Sequence, residues 1–150
     1  MTNGKDAVRT VVISGAFGTL GAAVARRFAG GGARLGLLDR VPVPEAARRE
    51  FAAPHVCVGG VDLANPGSAA AAMQTVAAAT GGIDVLVNVA GGFRWEPLAG
   101  GDMGTWELMF TVNLKTAVAA SQAALTHLLA RGAGGSSLVS AGGGGPSSWC

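Results

Sequence analysis

The 150 residues include no tyrosine. Charge is also scarce: 13% of residues are Asp, Glu, Lys or Arg, about half the usual share, and 11 basic against 9 acidic groups leave a net charge of +2. No basic run is longer than the pairs Arg26-Arg27 and Arg48-Arg49. That excludes a track for a phosphate backbone, so nucleic acid is not an expected partner. The two cysteines, Cys57 and Cys150, are too few for a disulfide framework and neither sits in a CxxC pair. Cys57 reads as a small apolar core residue. His55 and His127 match no metal-ligand spacing, so both are expected to be structural and no metal is expected. Every window of about 18 residues is broken by Gly, Asn, Asp or Arg, so no membrane span is expected. The opening MTNGKDAVRT has no apolar stretch of the kind a signal peptide needs. A reducing, cytoplasmic setting is the default expectation.

What the chain does have is order. Hydrophobic residues make up 49%, and the 25 Gly and 6 Pro stay below the share that marks low-complexity sequence. A long disordered chain is thereby excluded. Short aliphatic runs occur at Arg9–Ser14, Arg34–Asp39, Val56–Val61 and Ile83–Val89. Between them lie Ala-rich segments of helical spacing: one carrying Leu20, Val24 and Phe28 every fourth residue, then Glu45–Ala52, Ser68–Ala79 and a long one from about Thr105 to Arg131. Gly30-Gly31-Gly32 and Gly81-Gly82 mark helix ends. Strands with little polar alternation are buried on both faces, as happens when helices cover both sides of a parallel sheet. The βαβαβ order therefore predicts an α/β fold, a doubly wound parallel sheet with strand order 3-2-1-4 and a poorly formed fifth strand.

The first strand runs into Ser14-Gly15-Ala16-Phe17-Gly18-Thr19-Leu20-Gly21, where a helix begins. Glycines at such a junction let the backbone turn sharply and approach a pyrophosphate, which the unpaired amides and dipole of the helix N-terminus attract. It is not a P-loop, because no Gly-Lys-Ser/Thr follows. Asp39 closes the second strand, where a carboxylate accepts both ribose hydroxyls of an adenosine and repels a 2′-phosphate, favouring NAD over NADP. The alternative is a solvated turn in which Asp39 pairs with Arg40.

These residues resemble the short-chain dehydrogenases/reductases over about Val11 to Arg131. Ser14–Gly21 is similar to the family's TGxxxGxG fingerprint, with Ser for Thr at 14 and glycine at 18 in a GxxGxxG spacing. Asp62-Leu63 matches the pair that contacts adenine, and Asn88-Val89-Ala90-Gly91 resembles the family's NNAG with Val for the second Asn. Asn113, in Met-Phe-Thr-Val-Asn-Leu, matches the helix Asn of the family's proton relay. The resemblance implies a Rossmann-like domain binding NAD through Gly15, Phe17, Gly18, Thr19, Leu20, Gly21, Asp39, Arg40, Asp62, Leu63, Asn88, Ala90 and Gly91. It implies a small carbonyl or alcohol as substrate and a homo-oligomeric habit. Simpler roles stay open: Asp62 as a helix cap near Pro66, Asn88 bonding nearby backbone, and Phe93-Arg94-Trp95-Glu96 as a surface loop and not a pocket border.

Two parts of the family pattern are missing. A Tyr and a Lys four residues later supply the family's proton, yet here there is no Tyr and no Lys after Lys115. The family's fifth strand, ending in a catalytic Ser, finds its nearest match in Leu138-Val139-Ser140-Ala141, with Ala141 at the Ser position and Ser140 one place early. The expected organisation is an incomplete NAD-binding Rossmann domain over 1–133 and an irregular Gly/Ser-rich tail over 134–150 in place of the catalytic half, as a truncation or frame shift leaves. The expected function is an NAD-dependent oxidoreductase lineage impaired in catalysis. The rivals are a non-enzymatic dinucleotide sensor or interaction module and a fragment without stable function.

Overall fold

The computed structural model describes residues 8–132 and 135–138. Strand β1 (Thr10–Ser14) shows why its sequence is apolar at consecutive positions: Val11 and Ile13 pack into one layer, Val12 into the other, and all three are buried. Beside it run β2 (Arg34–Leu38) and β4 (Val85–Asn88), with β3 (Val56–Val58) and β5 (Gly135–Leu138) outermost. All pair in parallel in the order β3-β2-β1-β4-β5. Helix α1 (Thr19–Gly30) and the short α2 (Glu45–Glu50) contribute Val24, Ala25, Phe28 and Ala47 to one face. Helix α3 (Pro66–Thr80) and α5 (Thr116–Ala130) contribute Met73, Val76, Ala120, Ala124 and Leu128 to the other. Truncating a filled position such as Ile13 or Leu86 to Ala costs about 2–5 kcal/mol.

Small residues set how closely these layers meet. A Cβ on Gly36 of β2 would lie 2.5 Å from Val76 Cγ1, so glycine is what lets α3 press on the sheet. Helix α3 is capped by Asn65, whose Oδ1 accepts from the Ser68 amide at 3.0 Å, and it ends on Gly81 with φ of 82°. The cap is thus Asn65 and not Asp62. Of the residues expected on the apolar face of α1, Val24 and Phe28 pack inward, whereas Leu20 is exposed at the mouth of a cleft.

Helix α4 (Met103–Phe110), capped by Asp102 Oδ2 on the Thr105 amide, runs through a π turn (Thr111–Lys115) straight into α5. The single long helix expected from about Thr105 to Arg131 is therefore real but contains a widened turn. At the other end of the sheet, Asp84 accepts from the Thr10 amide at 2.7 Å and from Arg131 Nε at 2.8 Å, fastening the end of α5 beneath β1. The arginine holds the Asp84 carboxyl below the usual carboxylate range, with the Thr10 amide helping against the cost of burial. His55 has a structural place: its Nδ1 accepts from the Leu35 amide at 3.2 Å and its ring stands edge-on to Phe51. Burial raises the Cys57 thiol above its ordinary value, as for an unreactive core cysteine.

Two strand assignments need correction. The third strand stops at Val58, not Val61, because the chain turns at Gly60 (φ 74°) and the Val61 amide donates to the Asp39 carbonyl at 3.0 Å. The fifth strand is Gly135–Leu138, three residues ahead of Leu138–Ala141, in register from Val85↔Gly135 to Asn88↔Leu138. A parallel ladder needs backbone groups and not large side chains, so a Gly/Ser composition does not prevent it. Residues 135–138 of the expected irregular tail thus belong to the sheet, while Ser140 and Ala141 lie outside the described residues.

Candidate dinucleotide site

The strand order reverses between β1 and β4, and in an open α/β sheet the crevice above that reversal is where ligands bind. The register levels the strand ends there, with Ser14 opposite both Leu38 and Asn88. Ser14 is fully buried, and its Oγ accepts from the amides of Val89 and Ala90, both at 3.1 Å. That pair of bonds draws the end of β4 against the glycine turn. A cleft of about 1090 Å³ opens above it, walled by the glycine turn, the loops after β2 and β3, the end of β4, and the α4–α5 helix.

Two glycines of the turn are required by close approach. Gly15 has φ of 64°, and a Cβ there would lie 2.8 Å from Ala90 Cα. A Cβ on Gly21 would lie 2.8 Å from Ala16 Cα and run into the Gly15 carbonyl. Gly18 has room for a Cβ; what it leaves open is the mouth itself, because it is the N-cap of α1 and offers no side chain to the helix start. Helix α1 also has no acid in its first turn. The amides of Thr19, Leu20 and Gly21, which an α-helix leaves without intrahelical partners, therefore open on the cleft with the positive end of the helix dipole behind them.

Asp39 stands at the edge of this turn. Its Oδ2 accepts from the Phe17 amide at 2.9 Å and its Oδ1 from the Val41 amide at 3.2 Å, rather than pairing with Arg40. Next to it, where the Val61 amide donates to the Asp39 carbonyl, the Asp62 Oδ1 accepts from the Ala64 amide at 3.0 Å, leaving an exposed carboxylate beside the buried Leu63. Gly15, Phe17, Gly18, Thr19, Leu20, Gly21, Asp39, Arg40, Asp62, Leu63, Ala90 and Gly91 all line the same space.

Asn88 and Asn113 do not. Asn88 is buried with its side chain turned towards α5, where Nδ2 donates to Ser121 Oγ at 3.2 Å. Strand alternation puts Asn88 on the same face as Leu86, towards the α3–α5 layer, and it is the residues just past the end of β4, Val89, Ala90 and Gly91, that line the cleft. Asn113 sits in the π turn. Its Oδ1 accepts from the Gly92 amide at 3.1 Å, and its Nδ2 donates to the carbonyls of Gly92 and Met109, each at 2.9 Å. It ties helix to strand-end loop, and the fit is tight enough that a Cβ on Gly91 would lie 2.6 Å from Asn113 Oδ1. The sequence reading missed the helix wall of the cleft, Leu108, Thr111, Val112 and Thr116. Only the neighbouring Asn113 pointed to that stretch, since no residue pattern announces a π turn.

The residues present fit a nicotinamide dinucleotide: the cavity has a glycine floor, uncapped amides at the start of α1, and the carboxylates of Asp39 and Asp62 in its lining. The fold defines a Rossmann-like class of protein. The short chain dehydrogenase family pattern matches residues 9–144. The oxidoreductase UcpA of Escherichia coli is 34% identical over 130 residues, 85% of this chain and 49% of the relative. The D-threitol dehydrogenase of Mycolicibacterium smegmatis is 31% identical over 129 residues, 84% of this chain and 50% of the relative. Among solved structures, a short-chain dehydrogenase/reductase (glucose/ribitol dehydrogenase) from Brucella melitensis superposes with a TM-score of 0.73 at 29% identity, covering 80% of this chain and 52% of that one. The aldohexose dehydrogenase of Thermoplasma acidophilum gives 0.68 at 26% identity, covering 82% and 45%. The chain belongs to the short chain dehydrogenase family. It spans about half the length of the curated relatives it matches. Among the described residues no helix is long and apolar enough to cross a membrane.

Proposed function

We propose that this chain is the dinucleotide-binding part of an oxidoreductase that interconverts an alcohol and a carbonyl, and that it prefers NAD to NADP. The observation that carries the reading is the meeting of the uncapped α1 start with the Asp39 carboxylate on one glycine-floored cleft. The amides of Thr19, Leu20 and Gly21 hold the diphosphate, and Gly15 and Gly21 keep the floor low enough for it to reach them. Asp39 takes the ribose hydroxyls, with Arg40 and Phe17 beside it; Asp62 and Leu63 receive the adenine, and Val89 to Gly91 back the nicotinamide ribose. A negative group at 39 repels a 2′-phosphate, which is the basis of the NAD preference. When bound, the nicotinamide supplies or accepts a hydride. The cytoplasmic setting expected from the sequence belongs to this same reading.

The 150 residues contain no Tyr, the residue type that carries the family's proton. Loss of a positioned general acid lowers rate by about 10²–10⁴. These residues alone therefore bind cofactor and turn over carbonyl compounds slowly at best, with Asn113 bracing the helix beside the site and Ser140 as the second catalytic candidate.

A homo-oligomer is part of the proposal. Trp106, Phe110, Leu114 and Val118 are exposed at four-residue steps along α4, the π turn and α5. Such steps overshoot an α-helical turn by about 40° each, and the wider π turn takes back part of that drift, so the four stay on one stripe. A second copy of the stripe covers it.

Calorimetric titration of the chain with NAD and with NADP tests the reading. It predicts heat with NAD and at least about tenfold weaker binding of NADP. Equal silence with both would overturn the dinucleotide site, and tighter binding of NADP would overturn the role of Asp39.

A further inference from the structure

We propose that Asp39 is also a positioning residue for the diphosphate turn, acting through the Phe17 amide; the inference rests on the dinucleotide reading above. The glycine turn is held by three amides. Ala16 donates to the Leu38 carbonyl at 3.1 Å and Gly18 to the Gly15 carbonyl at 3.3 Å, so two of the three anchors are backbone on both sides. The third, Phe17, donates to Asp39 Oδ2 at 2.9 Å, and its acceptor is a side chain 22 residues away. It is the one anchor of the turn that a substitution removes without touching the turn itself.

Asp39 is joined to the remaining walls as well. Its Oδ1 accepts from Val41 at 3.2 Å, its amide donates to the Val58 carbonyl at 3.1 Å, and its carbonyl accepts from Val61 at 3.0 Å, next to Asp62. One residue thus fixes the glycine turn, the loop after β2, and the chain leaving β3 relative to each other. Both carboxylate oxygens carry a backbone N–H, an arrangement an amide side chain cannot copy. Asn has one acceptor oxygen, and its NH2 would face the other donor. Charge-assisted bonds of this kind are the stronger class, and a fixed turn presents its amides to an anion without having to be ordered first.

The sign of one effect separates positioning from contact. Asp39→Asn removes a negative charge beside a diphosphate, so charge alone predicts tighter binding of any ligand that does not use the carboxylate. Loss of positioning predicts weaker binding. The probe is 2′,3′-dideoxy-ADP, which has the diphosphate and adenine but neither ribose hydroxyl. In calorimetry the D39N variant is expected to bind dideoxy-ADP about tenfold more weakly than the wild type does, and ADP more weakly still. Unchanged or tighter binding of dideoxy-ADP by D39N, in a wild type that binds NAD, would overturn this inference alone. Silence of the wild type with NAD would overturn the dinucleotide reading and this inference with it. A role in overall stability moves Tm and leaves the affinity of the folded protein for dideoxy-ADP unchanged. Hydrogen exchange of the unliganded wild type gives a test that needs no variant. The Phe17 amide is expected to be protected to the same order as Ala16, and exchange at the rate of an unstructured amide would overturn the inference.

Discussion

Gly21 and Gly30 lie in the same helix and offer opposite outcomes for the same substitution. Alanine is the better helix former by about 0.8–1.0 kcal/mol, so a Gly to Ala change in a helix stabilises wherever there is room. At Gly30 a Cβ would meet nothing within 4 Å. At Gly21 it would lie 2.8 Å from Ala16 Cα and from the Gly15 carbonyl carbon, atoms of backbone that no rotamer change can move aside. Restoring ordinary contact requires the turn or the start of α1 to shift by roughly 1 Å, and overpacking of this kind costs about 1–3 kcal/mol or more. Subtracting the propensity gain leaves Gly21→Ala destabilised by up to about 2 kcal/mol or more, while Gly30→Ala gains up to about 1 kcal/mol. Urea unfolding followed by circular dichroism reads both. Because the shift falls on the amides facing the cleft, Gly21→Ala is also expected to weaken NAD at least tenfold, with Gly30→Ala unchanged. If Gly21→Ala matched Gly30→Ala in stability and bound NAD like the wild type, the close approach of helix and turn would not be what these glycines serve.

Three further outcomes follow from the same structure. A Cβ on Gly91 would press on Asn113 Oδ1 at 2.6 Å, so Gly91→Ala should destabilise by about 1–3 kcal/mol, and by clearly less in an Asn113→Ala background; additive effects would contradict the contact. The Asp84 carboxyl is held low by Arg131, so its contribution is present above the ordinary carboxylate range near pH 4 and is lost as pH falls through the lower folded value. Urea midpoints of wild type and Asp84→Asn should accordingly converge as pH falls below the ordinary carboxylate range near pH 4, and a gap that persists at strongly acid pH would refute the linkage. Placing a charge on the exposed stripe with Leu114→Glu should shift the chain to monomer in light scattering without altering its circular dichroism; a wild type already monomeric at high concentration would remove the stripe as an interface.

Much of this was legible in the sequence because the physics was local. Consecutive apolar positions such as Val11, Val12 and Ile13 announce a strand covered on both faces, and with the alternation of strands and helices that yields a doubly wound parallel sheet. The turn from Gly15 to Gly21 and the acid at Asp39 could be placed because their spacing is set by one βαβ unit. What escaped was set by tertiary geometry. The direction of the Asn88 side chain depends on which face of β4 the residue occupies, and Ser121 of α5 is its partner only in the folded sheet. The π turn that carries Asn113 lies where its side chain bonds Gly92 and Met109, contacts that no residue pattern announces. The fifth strand was misplaced because Gly-Ser-Ser-Leu carries no periodic apolar signal, while a parallel ladder needs only backbone groups.

The central claim is that a diphosphate rests on the start of α1 with its adenosine ribose at Asp39. Amide chemical shifts recorded by NMR during a titration with ADP test it most directly. The account predicts saturable shifts concentrated at Thr19, Leu20 and Gly21 and at Asp39 to Val41, with the far end of the sheet around Asp84 unmoved. Shifts that leave the α1 start untouched, or that cluster elsewhere on the surface, would contradict it.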